Sequence, residues 1–463
     1  MKLLSNNKRA EVDLLQGVIW KKILVFSLPI LLGAVFQQMY SLVDAIVLGR
    51  AVSADALAAV GATTTVSTLL NSLFVAISGG ASVVIAQWFG AGDEKRVEKA
   101  VHTAIAASLV GGVILTLVGI LLARPVLAMT RVPEEILNDS VTYMQVYFIG
   151  ATASLLYNTG TGVLRAIGNS RTPLFILIIT SIMNVILDLI FVLGLRLGVF
   201  GVAVATVMSQ IISAVLVMAI LMKTKASYRY EIRKTAIDWS NLKEMVRIGF
   251  PSCMESLCYS GTNLIAQTVI NGFHTAAIAA WAAVLRVDGI MYMIQMSYAV
   301  SVSTMVGQNF GARQYDRVKK IVRTGIFMNL GTISAAVLVI CLYCPQIIGI
   351  FNGDSAVIEA GTTLLFTLAL ANLTNVFSNL LPKSIRACGE SLRPMILTVS
   401  CVCGLRLGVL LGLVPRFHTL FTVSLSWPIS WGITGLIFII YYRRGNWLKR
   451  CIARQEEKTE ADT

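Results

Sequence analysis

Val163-Leu-Arg-Ala-Ile-Gly-Asn-Ser-Arg-Thr-Pro173 returns 221 residues later as Ser384-Ile-Arg-Ala-Cys-Gly-Glu-Ser-Leu-Arg-Pro394, with five identities in eleven positions. A second stretch, Phe89-Gly-Ala-Gly-Asp-Glu-Lys-Arg-Val97, returns at the same offset as Phe310-Gly-Ala-Arg-Gln-Tyr-Asp-Arg-Val318, with five identities in nine and Gln87 matching Gln308 just before it. Pro29 and Pro251 fall within one residue of that spacing. Two independent matches at one offset are hard to obtain by chance, so the chain reads as a tandem duplication.

What is duplicated is apolar. Of 463 residues, 56% are hydrophobic and 13% charged, against roughly 45 to 50% and 25% in a soluble domain. Runs such as Gly111 to Leu122 and Leu174 to Ile182 stay apolar on consecutive residues, which excludes the alternation of a transmembrane β-barrel. A helix needs roughly 20 apolar residues to cross the hydrocarbon core. The apolar runs divide into twelve segments, at about 20–48, 56–86, 99–122, 138–162, 173–194, 200–222, 244–270, 276–306, 321–343, 358–381, 394–413 and 418–442. Six crossings per repeat is an even number, so both repeats run in the same sense across the membrane. The expected fold is an all-α polytopic membrane protein: twelve transmembrane helices in two six-helix lobes related by a pseudo-two-fold axis along the membrane normal. The boundaries expected are an arm at 1–19, an N-lobe at 20–222, a linker at 223–243, a C-lobe at 244–442 and a tail at 443–463.

The net charge of +14 would point to nucleic acid in a soluble protein. Here the basic residues sort by loop. Of 38 Lys and Arg, 30 fall in the N-terminal arm, the even-numbered loops and the tail, while the odd-numbered loops hold Arg50, Arg124, Arg131, Arg196 and Arg416. By the positive-inside rule both termini, the linker and the tail are cytoplasmic, and no nucleic-acid partner is expected. Met1 to Glu11 lacks the apolar core of a removable signal peptide. The eight cysteines all lie beyond residue 250 and read as small hydrophobes; Cys341 and Cys344 form a CxxC without a second ligand pair, so no metal is expected.

An ionisable residue inside a transmembrane helix costs roughly 2.5 to 3.5 kcal/mol and asks for a reason. Asp44 closes the polar stretch Gln37-Gln-Met-Tyr-Ser-Leu-Val-Asp44, and Asp188 stands four residues after Asn184, on the same helical face. Neither acid is matched in the second repeat, where the equivalent positions are Ile265 or Ala266 and Val409 or Leu410. A packing role common to both lobes would have been kept in both, so the polar site is specific to the N-lobe. The second lobe carries Glu255, Arg286, Asp288 and Arg406 instead. Arg286 and Asp288, two apart, point to different sides of a helix; Arg406 needs a carboxylate or a cavity, which Asp288 or Glu255 can supply. No GxxxxGK[ST] loop, HExxH or catalytic cluster occurs, and His102, His274 and His418 fall near segment ends. The expectation is a transporter driven by an ion gradient, neither an enzyme nor a receptor, with no cofactor.

The motifs resemble one family. Tyr40-Ser-Leu-Val-Asp44, Asp55-Ala-Leu-Ala-Ala-Val-Gly61, Val163 to Pro173, Asn184-Val-Ile-Leu-Asp188 and Gly201-Val-Ala-Val-Ala-Thr206 are similar to the multidrug and toxic compound extrusion (MATE) family, and Val306 to Ala312 and Trp427-Pro-Ile-Ser-Trp431 to its bacterial branch. The resemblance implies a multi-pass plasma-membrane antiporter, acting as a monomer, that expels small cationic amphipathic compounds in exchange for protons or sodium. It implies Asp44, Asn184, Asp188 and Thr206 as the coupling site, with Asn158 a looser candidate. In sodium-coupled members a segment-7 Glu works with a segment-10 Asp; Glu255 fits the first, but segment 10 offers only Asn372, Asn375 and Asn379, so protons are favoured over sodium. Gln37, Tyr40, Met183, Tyr259 and Met293 are candidates for the substrate cavity. The rival reading within the same superfamily is a flippase for a lipid-linked saccharide, which would need several cavity cations for pyrophosphate; only Arg286 and Arg406 are available.

Overall fold

The computed structural model describes residues 12–129 and 132–460. The arm up to Glu11, Arg131, the side chain of Arg50 and the last three residues of the tail lie outside the described residues. The first half folds as α1 (Ile19–Ala51), α2 (Ala54–Ala91), α3 (Glu94–Met129), α4 (Glu134–Ile149), α5 (Ala151–Ala166), α6 (Arg171–Asp188) and α7 (Gly198–Lys223), with a π-helical turn at Leu189–Gly194. The second half folds as α8 (Trp239–Asn271), α9 (Thr275–Gly311), α10 (Tyr315–Leu342), α11 (Cys344–Phe351) and α12 (Ser355–Ala387). A broken helix follows, made of α13 (Leu392–Thr398), α14 (Leu405–Gly408) and α15 (Val414–Phe417), with π-helical turns at Val399–Gly404 and Val409–Leu413 between them. The chain ends in α16 (Leu420–Ser424), α17 (Ser426–Arg444) and α18 (Trp447–Glu460).

Ten of these stretches are long and apolar enough to cross a membrane. The α4–α5 pair, interrupted at Gly150, and α8, which opens on Lys243, Glu244 and Arg247, complete the twelve crossings. Leu117 and Leu121 on α3 and Leu338 on α10 are exposed, as suits a surface covered by hydrocarbon. Helix starts are set locally: Ser53 Oγ accepts from the Ala56 amide at 3.0 Å and Asp354 Oδ1 from the Ala356 amide at 2.9 Å, satisfying donors that a helix N-terminus leaves open.

Two compact units result. Among the described residues, unit 1 comprises 12–14 and Leu28–Phe250, and unit 2 comprises Leu15–Ser27 and 251–460. Thus α1 and α8 each pass from one unit to the other, next to Pro29 and at Pro251, the prolines that the repeat aligns. In unit 1, α2 meets the first half of α8 so closely that a Cβ on Gly80 would stand 2.4 Å from the Met245 carbonyl oxygen. The 223–243 linker is strapped to α3: Tyr228 and Tyr230 are buried, the Glu231 amide donates to His102 Nε2 at 3.0 Å, and the Asp238 amide donates to Thr103 Oγ1 at 3.0 Å. In unit 2, Ser301 Oγ donates to the Ile23 carbonyl of α1 at 3.3 Å, and α18 docks through Arg450, whose Nη2 lies 3.2 Å from Glu390 Oε1.

The duplication survives in the backbone. Gly168 and Gly389, 221 apart, end α5 and α12 with φ of 91° and 95°, a left-handed turn that favours glycine. Gly92 and Arg313, again 221 apart, have φ of 72° and 58°, so the second copy keeps the turn without the glycine. Arg196 and His418, 222 apart, have φ of 54° and 43°. Side chains repeat too: Ser82 Oγ donates to the Gly162 carbonyl at 3.0 Å, and Ser303 Oγ to the Lys383 carbonyl at 3.4 Å.

The helices run past the expected segment ends. Arg165, Lys383 and Arg386, expected in loops, lie inside α5 and α12. Length of apolar run is a poor guide there because a cation with an internal partner continues the helix: Arg386 is buried, and its Nη2 donates to Glu255.

Candidate ion-coupling site

In unit 1, α1 carries Asp44, α6 carries Asn184 and Asp188, and α7 carries Thr206 and Gln210, one helical turn apart. Asn184 and Asp188 are 2% and 0% exposed. The Asp44 and Asp188 carboxylates are neighbours, and neither pairs with a Lys, Arg or His among the described residues. Ionised carboxylates only accept, so this contact contains no donor of its own. Asp44 Oδ1, both Asp188 oxygens, both amide atoms of Asn184, Thr206 Oγ1 and Gln210 Oε1 are buried without a hydrogen-bond partner. Unsatisfied buried polar atoms are rare and costly, and a cluster of them on three helices has the chemistry to hold a proton, a water or a small cation.

Tyrosines close the same region. Tyr143 and Tyr147 of α4 stack with centroids 6.2 Å apart, and the Tyr147 hydroxyl accepts from Asn71 Nδ2 of α2 at 3.2 Å. Tyr40 stands one helical turn before Asp44 on α1. Asn158, on α5, turns its amide back to the Ser154 carbonyl at 2.9 Å. Gln37 is exposed, Met183 half-buried beside Asn184.

Unit 2 is built differently. Glu255 is taken by Arg386 and so is not the partner of Arg406. Asp288 Oδ1 accepts from Asn372 Nδ2 at 2.9 Å, while Asn372 Oδ1 accepts from Gln295 Nε2 at 2.7 Å. Arg406 is not hydrogen-bonded to Asp288 either: its Nη1 donates to Asn263 Oδ1 at 3.1 Å, and its guanidinium lies 5.4, 5.1 and 5.5 Å from the rings of Tyr259, Trp427 and Trp431. Delocalised cations are stabilised over aromatic faces, which helps hold a buried Arg that makes no hydrogen bond to a carboxylate and has Asp288 within electrostatic range. Arg286 is exposed, Met293 half-buried.

Sequence reasoning passed over Asn71, Tyr143, Tyr147, Gln210, Asn263 and Lys383. Three carried a helical signal: Gln210 stands four after Thr206, Asn263 four after Tyr259, and Lys383 three before Arg386.

The fold and these polar interiors define a multi-pass membrane transporter of two duplicated lobes. The MatE family profile matches residues 29–190 and again 251–410. The chain belongs to that family. Among curated relatives, the probable multidrug resistance protein YoeA of Bacillus subtilis (strain 168) is 27% identical, covering 94% of this chain and 96% of its own. The probable multidrug resistance protein NorM of Thermotoga maritima is 25% identical, covering 95% and 96%. Among solved structures, a MATE protein in complex with MaL6 superposes with a TM-score of 0.87 at 23% identity, covering 94% of this chain and 98% of the other.

Proposed function

We propose that the protein is a multidrug efflux antiporter of the cell membrane, with both termini cytoplasmic, which exports cationic amphipathic compounds in exchange for protons by alternating access. The observation that carries the reading is the unpaired Asp44–Asp188 contact with its unsatisfied neighbours Asn184, Thr206 and Gln210. Relatives named as multidrug resistance proteins support the cargo class.

Two carboxylates in a low-dielectric interior do not both ionise cheaply, so they hold one proton between them, with one group donating to the other. The Asn184 amide offers both a donor and an acceptor to whichever arrangement is present. When the proton leaves, the pair holds the charge that attracts a cationic drug; when a proton enters from outside, that hold weakens and the drug departs. Exchange of one proton for one singly charged cation moves no net charge, so the pH gradient supplies the drive: one pH unit is worth about 1.4 kcal/mol, a tenfold gradient of solute. Dye accumulation in inverted vesicles, whose outer face is the cytoplasmic one, driven separately by a pH gradient and a sodium gradient, tests this: accumulation with the pH gradient alone is expected, and accumulation that requires sodium overturns the proton assignment.

A further inference from the structure

The duplication supplies an internal comparison at the starts of α3 and α10, whose residues correspond at the offset of 221. In the first copy the helix start carries its own anion. Asp93 Oδ1 accepts from the Arg96 amide at 3.0 Å, and Asp93 Oδ2 lies 3.2 Å from Arg96 Nε. The second copy keeps the arginine as Arg317, but Gln314 stands in the place of Asp93 and its side chain makes no cap. Arg317 Nε is buried without a hydrogen-bond partner. The nitrogen that meets a carboxylate oxygen in one lobe is thus left open in the other.

The surrounding charges change in the same direction. Asp93, Glu94 and Glu98 correspond to Gln314, Tyr315 and Lys319, so all three acids of the first copy are lost. Lys99 is kept as Lys320, and Gly92 becomes Arg313, a cation at a left-handed φ of 58° that favours glycine. Arg313, Arg317 and Lys320 line one cleft of about 410 Å³. The carboxylate on its wall, Asp316, lies 3.3 Å from Lys319 Nζ. No ion pair among the described residues holds any of the three lining cations.

Neighbouring side chains put this cleft at the depth of lipid headgroups. Arg317 Nη2 donates to the Gly17 carbonyl at 2.9 Å, and the chain then enters α1 through Trp20, 49% exposed, with Lys21 Nζ 5.6 Å from its ring. An exposed Trp beside a Lys suits a membrane–water interface. Along α10, two turns past Lys320, Phe327 is 61% exposed with the Arg323 guanidinium 5.8 Å from its ring. Apolar surface therefore begins directly beyond the cations, and cations clustered at the end of a membrane span attract anionic lipid.

We propose that the start of α10 binds the phosphate group of an anionic phospholipid: Arg317 Nε takes an oxygen where its counterpart Arg96 has Asp93, and Arg313 and Lys320 complete the charge. A lipid is inferred over a soluble phosphate because apolar surface adjoins the cations on both α1 and α10. Since Arg317 also holds Gly17, the bound lipid steadies the entry of α1 into unit 2. The site lies on the surface of that unit, apart from the interior of either lobe, and stands whichever ion drives transport.

The test uses the purified full-length protein in detergent, with lipid binding read by native mass spectrometry. The probes are phosphatidylglycerol, phosphatidylcholine of the same chains, and inorganic phosphate as competitor. Phosphatidylglycerol is expected to bind at least fivefold more tightly than phosphatidylcholine, and millimolar phosphate to leave it in place. Gln314→Asp, which rebuilds the carboxylate of the first copy opposite Arg317 and removes no cation, is expected to weaken phosphatidylglycerol about fivefold, the worth of one cation at a membrane surface. Arg313→Gly, which restores the glycine of the first copy, is expected to do the same. Arg233→Gln, which removes an exposed cation of the 223–243 linker, should weaken it less than twofold. Unchanged binding in both Gln314→Asp and Arg313→Gly overturns the site. An equal loss in Arg233→Gln overturns it in favour of diffuse attraction, and displacement by phosphate overturns the lipid in favour of a soluble anion.

Discussion

Glu255 on α8 and Arg386 on α12 form an ion pair within unit 2, with the carboxylate 18% and the guanidinium 9% exposed. Glu255 therefore has its own counter-cation, whereas Asp44 and Asp188 have none among the described residues. Breaking a buried pair by neutralising one partner leaves the other charge stranded, at a cost of about 3 to 5 kcal/mol. Glu255→Gln should lower the thermal unfolding temperature in detergent by several degrees, and the double change Glu255→Met with Arg386→Met should recover much of the loss. A Glu255→Gln protein as stable as the parent contradicts a structural role for the pair.

Asp188→Asn removes a carboxylate that no Lys, Arg or His among the described residues pairs with. Gradient-driven efflux is expected to vanish while expression and thermal stability hold or improve, since a buried unpaired acid disfavours the folded state. Efflux from vesicles together with the unfolding temperature of the same preparation separates the two effects; full efflux in the variant removes Asp188 from the coupling site.

Gly80 and Gly249 mark the close approach of α2 and α8. A Cβ on Gly80 meets backbone at 2.4 Å and 2.8 Å, whereas one on Gly249 first meets backbone at 3.3 Å. Gly80→Ala should therefore destabilise by about 1 to 3 kcal/mol, the usual range for overpacking, and Gly249→Ala by clearly less. Denaturation of the two variants side by side checks the order.

Glu390 holds the tail helix: it accepts from the Tyr441 hydroxyl at 2.7 Å and from Arg450 Nη2 at 3.2 Å. Its counterpart in the first copy, Asn169, caps the Thr172 amide instead. Glu390→Gln is expected to free α18, read as faster cleavage by trypsin at Lys449 to Arg454. Unchanged cleavage would show that burial of Trp447 and Cys451 suffices to dock it.

The fold was legible because the bilayer imposes long apolar runs and the duplication supplies an internal control: the offset of 221 recurs in sequence motifs, in left-handed turns and in the Ser82 and Ser303 hydrogen bonds. The first-lobe acids were legible because Asn184 and Asp188 share a helical face. The second lobe was not. Arg386 and Arg406 found partners 131 and 143 residues away, and tertiary pairing at that range leaves no periodic trace. Lys383 and Arg386 were misplaced into a loop because a charge in an apolar run ends a segment by composition, whereas a partner across the lobe lets the helix continue.

The exchange of segments between the units bears on how the chain is made. Leu15–Ser27 emerges from the ribosome early, yet Ser301, which holds the Ile23 carbonyl, follows 278 residues later. At synthesis rates of roughly 5 to 20 residues per second, the start of α1 waits on the order of tens of seconds for its partner. The start of α1 is thus seated only after α9 has been made, and assembly of the second half acts as the step that holds the beginning of the first.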